Sequence, residues 1–167
     1  MVSESTQQAT VAELIAISKQ FHHAMLVTRS ADGKLSARPM FIAQLEDDGD
    51  LWFATDVDSG KVEDLTANPQ VAVTMSGGGS YVSISGQAKL VRDRQKIDQL
   101  WSESWAVWFT EGKSDPRLGL INVVASQGEY WSNSGIERYQ FLFDAAKAYA
   151  TGERPKVDDA MHAKVKL

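Results

Sequence analysis

Ser59-Gly60-Lys61 stands where an apolar run, Leu51 to Thr55, gives way to a helical pattern. These three residue types suit an anion. A helix N-terminus exposes amide hydrogens without backbone partners and carries partial positive charge. Gly60 lets the backbone approach closely, Ser59 offers a hydroxyl and Lys61 adds a cation, so the tripeptide can cradle a phosphate. It is not a Walker A loop, which needs more glycines and a Ser or Thr after the lysine; Val62 follows here. The plainer alternative is a helix capped by Asp58 or Ser59, with Lys61 in solvent.

Arg38 is the second candidate. It lies in "SARPM", Ser36 to Met40, inside an otherwise apolar strand. A guanidinium can meet a phosphate through two parallel hydrogen bonds. Pro39 has no amide hydrogen, which argues for a strand edge or a bulge, where backbone groups stay free to meet a ligand. The alternative is an arginine on the exposed face of a hairpin.

Other chemistry is not supported. His22 and His23 are adjacent and His162 is remote, so no metal set converges. Glu46, Asp47, Asp48 and Asp50 lack the spacing and the closing glutamate of a calcium loop, and fit a charged hairpin tip. Gly77-Gly78-Gly79 reads as a hairpin turn because no helix follows it. No Ser-His-Asp arrangement is visible, and no side chain compels an acid–base or nucleophilic assignment.

The elements that must position Ser59 and Arg38 follow from periodicity. Val11, Leu14, Ile15, Ser18 and Phe21 recur at helical spacing, with Thr10 as cap and Glu13 behind it, after a loose lead-in of residues 1–9. Residues 24–55 read as three strands turning at Asp32-Gly33 and Asp48-Gly49. Ser59 to Ala67 reads as a short helix ended by Asn68-Pro69. "QVAVTMS" and "YVSISGQAKLV" are two more strands. Asp93 is placed to cap one helix carrying Trp101, Trp105 and Trp108 on a single face, a stripe for core packing or for a second copy of the chain. "LGLINVVASQGEYWSN" reads as strand turning at Gln127-Gly128, Arg138 to Ala150 is ambiguous, and "HAKVKL" reads as an edge strand. Six or seven antiparallel strands with short turns predict a mainly β fold, a small barrel with flanking helices.

The bulk numbers bound the rest. A chain of 167 residues with 43% hydrophobic residues makes one domain with a real core. A formal charge of −5 argues against a broad nucleic-acid surface. The absence of cysteine excludes disulfides and thiol catalysis and fits a reducing cytoplasm. The polar N-terminus shows no signal peptide, and no stretch is long enough to span a membrane.

"SARPM", then "LWFATDVDSGKVEDLTANPQVAVTM", then "YVSISGQAKLV", resembles the FMN-binding split-barrel family that includes pyridoxamine 5'-phosphate oxidase. The later stretch "IDQLWSESWAVWFTEGKSDPRLGLINVVASQGEYW" resembles its general stress protein 26-like branch. The resemblance covers roughly residues 10–150 and implies a single split β-barrel domain over 10–167. It implies FMN as cofactor, with FAD as the alternative flavin. It places Arg38, Ser59 and Lys61 at the FMN phosphate, Pro39 and Met40 beside the flavin ring, and Ala54 and Thr55 at its pyrimidine edge and ribityl side. It also implies a homodimer with flavins where two barrels meet, and Trp131 reaching the isoalloxazine from the partner chain. Two departures matter. The oxidases carry Ser-Arg-Lys-Gly where this chain has Ser59-Gly60-Lys61-Val62, so one phosphate cation is absent. No Arg-Trp-Arg run follows Trp131, which argues against true pyridoxamine 5'-phosphate oxidase activity. The expected function is a flavin-dependent oxidoreductase passing hydride or electrons between FMN and a small-molecule donor or acceptor. The alternatives are a non-catalytic flavin carrier or sensor, and a structural dimer with an empty cleft.

Overall fold

The computed structural model describes residues 4–132 and 162–167. In chain order the elements are α1 (Glu4–Ser18), β1 (His23–Arg29), β2 (Leu35–Leu45), β3 (Leu51–Asp56), α2 (Gly60–Ala67), β4 (Gln70–Gly77), β5 (Ser80–Val91), α3 (Arg94–Leu100), β6 (Leu118–Ser132) and β7 (His162–Lys166). Two short 3-10 turns, Glu103–Val107 and Gly112–Ser114, lie between α3 and β6.

All strand pairs are antiparallel, in the order β3-β2-β1-β4-β5-β6-β7. β3 also pairs with β6, from Leu51↔Val123 to Asp56↔Leu118, and this closes a six-stranded barrel. β7 adds to β6 beyond the closure, from Gln127↔Lys166 to Trp131↔His162. Closure leaves fewer open edges than a flat sheet would expose. The turn glycines carry the backbone that only glycine adopts readily: Gly33 has φ 88° and Gly49 has φ 94°.

Two apolar clusters hold this frame. The first fills the barrel with Leu26, Leu51, Phe53, Val73, Ile84, Ile121 and Val123, and takes in Leu14 of α1. The second lies against the outer wall, where Ile97, Trp105 and Phe109 cover Leu118 and Leu120. Trp52 shares that outer face, and its indole accepts the Lys96 ammonium 4.5 Å from its centroid while donating to Glu46 at 2.7 Å. The first contact fastens α3 to the hairpin between β2 and β3, and the second lies within that hairpin.

Three expectations need correction. The first helix begins at Glu4, so Thr10 is an interior residue and not a cap. The tryptophan stretch is not one helix. Asp93 does cap α3, accepting from the amides of Gln95 and Lys96, but Trp101 turns extended (φ −53°, ψ 134°) and Ser102 caps a separate 3-10 turn. Serines compete with helical backbone bonds through their own hydroxyls, and Ser102 takes the Ser104 amide in this way. The three rings therefore do not share one face: Trp105 is buried, Trp101 packs edge-on against it at 5.8 Å, and Trp108 is 58% exposed. Third, Gln127-Gly128 is no turn. β6 runs straight through it, with Ser126 as an extra residue opposite the Ser85/Gly86 step. Glycine is required here for close approach: a Cβ on Gly86 would lie 2.1 Å from the Val124 carbonyl oxygen, and one on Gly128 would lie 2.6 Å from Leu14. The ambiguous Arg138 to Ala150 segment lies outside the described residues.

Candidate functional site

The barrel is split on one side. β3 pairs with β2 only where β2 runs from Ile42 to Leu45, and that pairing carries a register shift between Ile42 and Gln44. Residues 35–41 of β2 therefore bond β1 alone, and Ala54, Thr55 and Asp56 of β3 bond β6 alone. The Ile42 amide donates to the His22 carbonyl at 3.0 Å, on the β1 side. By strand alternation Pro39 turns its nitrogen away from β1, toward the gap, where a missing amide hydrogen costs no ladder bond. Of the two alternatives expected at Pro39, the edge is present there, and the bulge lies further along β2, between Ile42 and Gln44.

The gap opens into a cleft of about 510 Å³ lined by Pro39, Met40 and Phe41 of β2, and by Ala54, Thr55 and Asp56 of β3. Lys61, Arg117, His23, Trp105, Trp108 and Phe109 complete it. Its size falls within the ~300–1,000 Å³ of small-molecule sites, and its walls are mostly apolar and aromatic with a few charged groups, as such sites are.

At one side of the cleft, α2 begins. Ser59 occupies the N-cap position with extended backbone, but its hydroxyl caps nothing. It donates to the Asp56 carbonyl at 2.6 Å and accepts from Lys61 Nζ at 3.0 Å. The Thr55 hydroxyl stands 3.5 Å from it. The amides of Gly60 and Lys61 make no hydrogen bond among the described residues, whereas that of Val62 reaches the Ser59 carbonyl. A Cβ added to Gly60 would meet nothing within 4 Å, so the chain is uncrowded at this position. Burial pushes the Lys61 ammonium below the usual lysine range, the nearby Arg38 charge adds to that, and Asp56 opposes it. An anion at this point would relieve both the desolvation and the like-charge contact.

Arg38 is not among the lining residues. It pairs with Leu26 across β1 and shares that inward face. Its Nη1 donates to Thr28 Oγ1 at 2.8 Å, and its Nη2 pairs with Asp64 Oδ2 of α2 at 3.3 Å. Trp131 stands apart. It lines a second cleft with Met25, Met75, Tyr81 and Val82, and the two clefts share His23 and Pro39.

The structure therefore brings Pro39, Met40, Ala54, Thr55 and Lys61 to one cleft, holds Ser59, Gly60 and Arg38 beside it, and leaves Trp131 outside it within this chain. Sequence reasoning missed Arg117, His23, Phe41 and Phe109. Arg117 precedes β6; its carbonyl accepts from Val57, and its guanidinium lies 3.7 Å from both Asp56 and Asp115. Nothing local signals it, because it reaches the cleft only through β3–β6 pairing. His23, Phe41 and Trp108 form a ring file, 4.3 Å and 6.3 Å between successive centroids.

A larger depression of about 810 Å³ lies over β1, β4, β5 and β6. Its lining has no aromatic ring, and its only charged members are Arg29 and Lys89. It offers no stacking wall, so the smaller cleft is the better candidate. Among the described residues no group of three His, Asp or Glu could hold a metal, and no helix is long and apolar enough to cross a membrane.

Comparison with known proteins extends this geometry. The family model "Pyridoxamine 5'-phosphate oxidase like" matches residues 9–156. Protein bli-3 of Neurospora crassa is 33% identical over 64% of this chain and 57% of its own length. A pyridoxine/pyridoxamine 5'-phosphate oxidase of Alcanivorax borkumensis is 35% identical over 48% of this chain and 36% of its own length. The chain thus spans less than two thirds of these curated relatives. A general stress protein 26 relative from Jannaschia sp. superposes with a TM-score of 0.69 and 27% identity, covering 96% of this chain and 99% of that one. A general stress FMN/FAD binding protein of Xanthomonas citri gives 0.63 and 28%, covering 80% and 92%. The family match covers β1 to β6 and the superpositions agree with it: the chain belongs to the pyridoxamine 5'-phosphate oxidase-like family, in its general stress protein 26 branch.

Proposed function

We propose that this chain binds FMN in the split between β2 and β3 and acts as a flavin-dependent oxidoreductase. The observation that carries the reading is the start of α2. Two free amides and a partly buried Lys61, with Arg38 nearby, stand next to an aromatic-lined cleft, and the Ser59 hydroxyl joins them as a donor by turning from the Asp56 carbonyl. Such a donor set fits a phosphate, and the cleft beside it fits a planar ring. The Xanthomonas citri relative, 28% identical, is an FMN/FAD binding protein, which supports the same ligand class.

In this reading Lys61, Ser59 and the Gly60 and Lys61 amides hold the phosphate, with Arg38 as the second cation. Pro39 and Met40 lie along the ring, and Ala54 and Thr55 line its other edge. Bound FMN supplies hydride or electron transfer at its ring. Trp105, Trp108 and Phe109 exclude water from the cleft. Arg117 sets positive charge on the wall opposite β2, where an anionic donor or acceptor can approach.

The freshly purified protein is expected to be yellow, with a flavin absorption band in the visible. Colourless protein that ignores added FMN overturns the reading. Bleaching by NADH or NADPH and recovery on adding an acceptor distinguish an enzyme from a carrier.

The exposed rings and methionine around the two clefts point to a second copy. Met25, Phe41, Tyr81, Trp108 and Trp131 are 38–58% exposed and flank His23 and Pro39. An apolar surface of this extent suits an interface between copies. In the homodimer Trp131 is assigned to the partner's flavin. Sedimentation equilibrium is expected to give twice the 18.4 kDa chain mass. A single-chain mass at micromolar concentration rules the dimer out.

A further inference from the structure

Arg38 is fixed in place by a closed ring of hydrogen bonds. Thr28 Oγ1 donates its one hydrogen to Asp64 Oδ2 at 2.7 Å. The same oxygen of Thr28 accepts from Arg38 Nη1 at 2.8 Å, and Arg38 Nη2 reaches the same Asp64 oxygen at 3.3 Å. Because the Thr28 hydrogen is committed to the carboxylate, Thr28 can only accept from the arginine, so the direction of every bond is set. Thr28 is 1% exposed, and the Arg38 and Asp64 side chains are mostly buried. A guanidinium has five N–H donors, and these bonds use two of them. Asp64 stands one helical turn after Lys61 on α2, so the helix that presents Lys61 also anchors Arg38.

We propose that Asp64 and Thr28 are positioning residues that hold Arg38 with its remaining donors directed at the phosphate of FMN. The role rests on the flavin reading above. A long flexible side chain loses freedom when it grips a ligand, and fixing it beforehand removes that cost. The negative charge of Asp64 works against the phosphate, so its value lies in geometry and not in net charge. That conflict of sign makes the role testable. Asp64→Asn keeps an acceptor oxygen and removes the charge. Asp64→Ala removes both. Coulomb attraction alone makes the two variants equal, because their charge is the same.

The test titrates FMN and riboflavin into the full-length wild type and four variants, following quenching of flavin fluorescence. FMN is expected to bind Asp64→Ala about tenfold more weakly than Asp64→Asn, since a charged donor loses its acceptor. Thr28→Val is expected to fall about tenfold below Thr28→Ser, which keeps the hydroxyl. Riboflavin has no phosphate, and its affinity should be the same in all five proteins. Equal FMN affinity in the alanine and asparagine variants, with Thr28→Val like wild type, overturns the positioning role alone. Riboflavin binding that falls in parallel also overturns it, because the residues then shape the fold. Wild type that binds neither flavin overturns both this role and the flavin reading. Wild type that binds both flavins equally removes the phosphate cradle and the positioning role, and leaves ring binding standing.

Discussion

Lys61→Ala is expected to weaken FMN binding by about tenfold to a hundredfold while leaving riboflavin binding unchanged. Lys61 is partly buried, and Nζ bonds Ser59 Oγ at 3.0 Å on the side of the cleft where the α2 amides are free. A hydrogen bond from a charged group contributes about 1.5–3 kcal/mol, and the change in affinity follows from that figure. The helix amides and Arg38 remain in the variant, so binding is reduced and not abolished. Arg38→Ala should behave in the same direction, with the ring of Thr28 and Asp64 left without its third member. The contrast with riboflavin separates a phosphate contact from a folding defect, because both flavins share the ring. Unchanged FMN affinity in both variants would place the phosphate elsewhere. Thermal shift gives an independent readout: ligand that binds only folded protein raises its stability, so a given FMN concentration should raise Tm less in Lys61→Ala than in wild type.

Phe53→Ala is expected to cost about 3–5 kcal/mol of stability, the usual range for removing a large buried aromatic side chain. Phe53 is fully buried at the middle of β3, paired with Ile42 on one side and Ile121 on the other. It therefore stands where the barrel closes, with no exposed face into which the cavity could relax. Against a total stability of about 5–15 kcal/mol the loss is large. Leu35→Ala is the matched control, since Leu35 is 71% exposed and its truncation should stay within about 0.5 kcal/mol. Urea unfolding of the three proteins measures both. A Phe53 variant with a loss below about 1 kcal/mol would show that the barrel interior does not close around this ring.

Much of the fold was legible because its signals are local. Asp32-Gly33 and Asp48-Gly49 specify turns through backbone angles that depend on the glycine alone, and both turns are where the pattern put them. Asp93 caps α3 through its own carboxylate and the next amides along the chain. Pro39 announces a free edge because its missing hydrogen is a property of the residue. The tryptophan stretch misled for the converse reason. Spacing of four and three residues marks a helical face only if the backbone stays helical. Here Ser102 ends the helix, and burial of Trp105 and Phe109 against Leu118 and Leu120 decides the path instead. Gln127-Gly128 misled similarly. Glycine after a polar residue suggests a turn, yet Gly128 is there to admit Leu14 from a helix far away in the chain.

For the candidate site the division is sharper. Composition and order determined which residues can bind an anion: Ser59, Gly60 and Lys61 at a helix start, and Arg38 on a strand ahead of Pro39. These are properties of side chains and of the nearest few peptide units. Only the tertiary structure decided that β2 and β3 part after Ile42, that Arg117 crosses from the start of β6 into the same cleft, and that Arg38 is held by Thr28 and Asp64. The reason is physical. Arg38 meets a hydroxyl ten positions earlier and a carboxylate 26 positions later; the first contact needs the β1–β2 hairpin and the second needs α2 packed against it. No pattern along the chain encodes which carboxylate a guanidinium will face, because that choice is made by packing β1, β2 and α2 against one shared core.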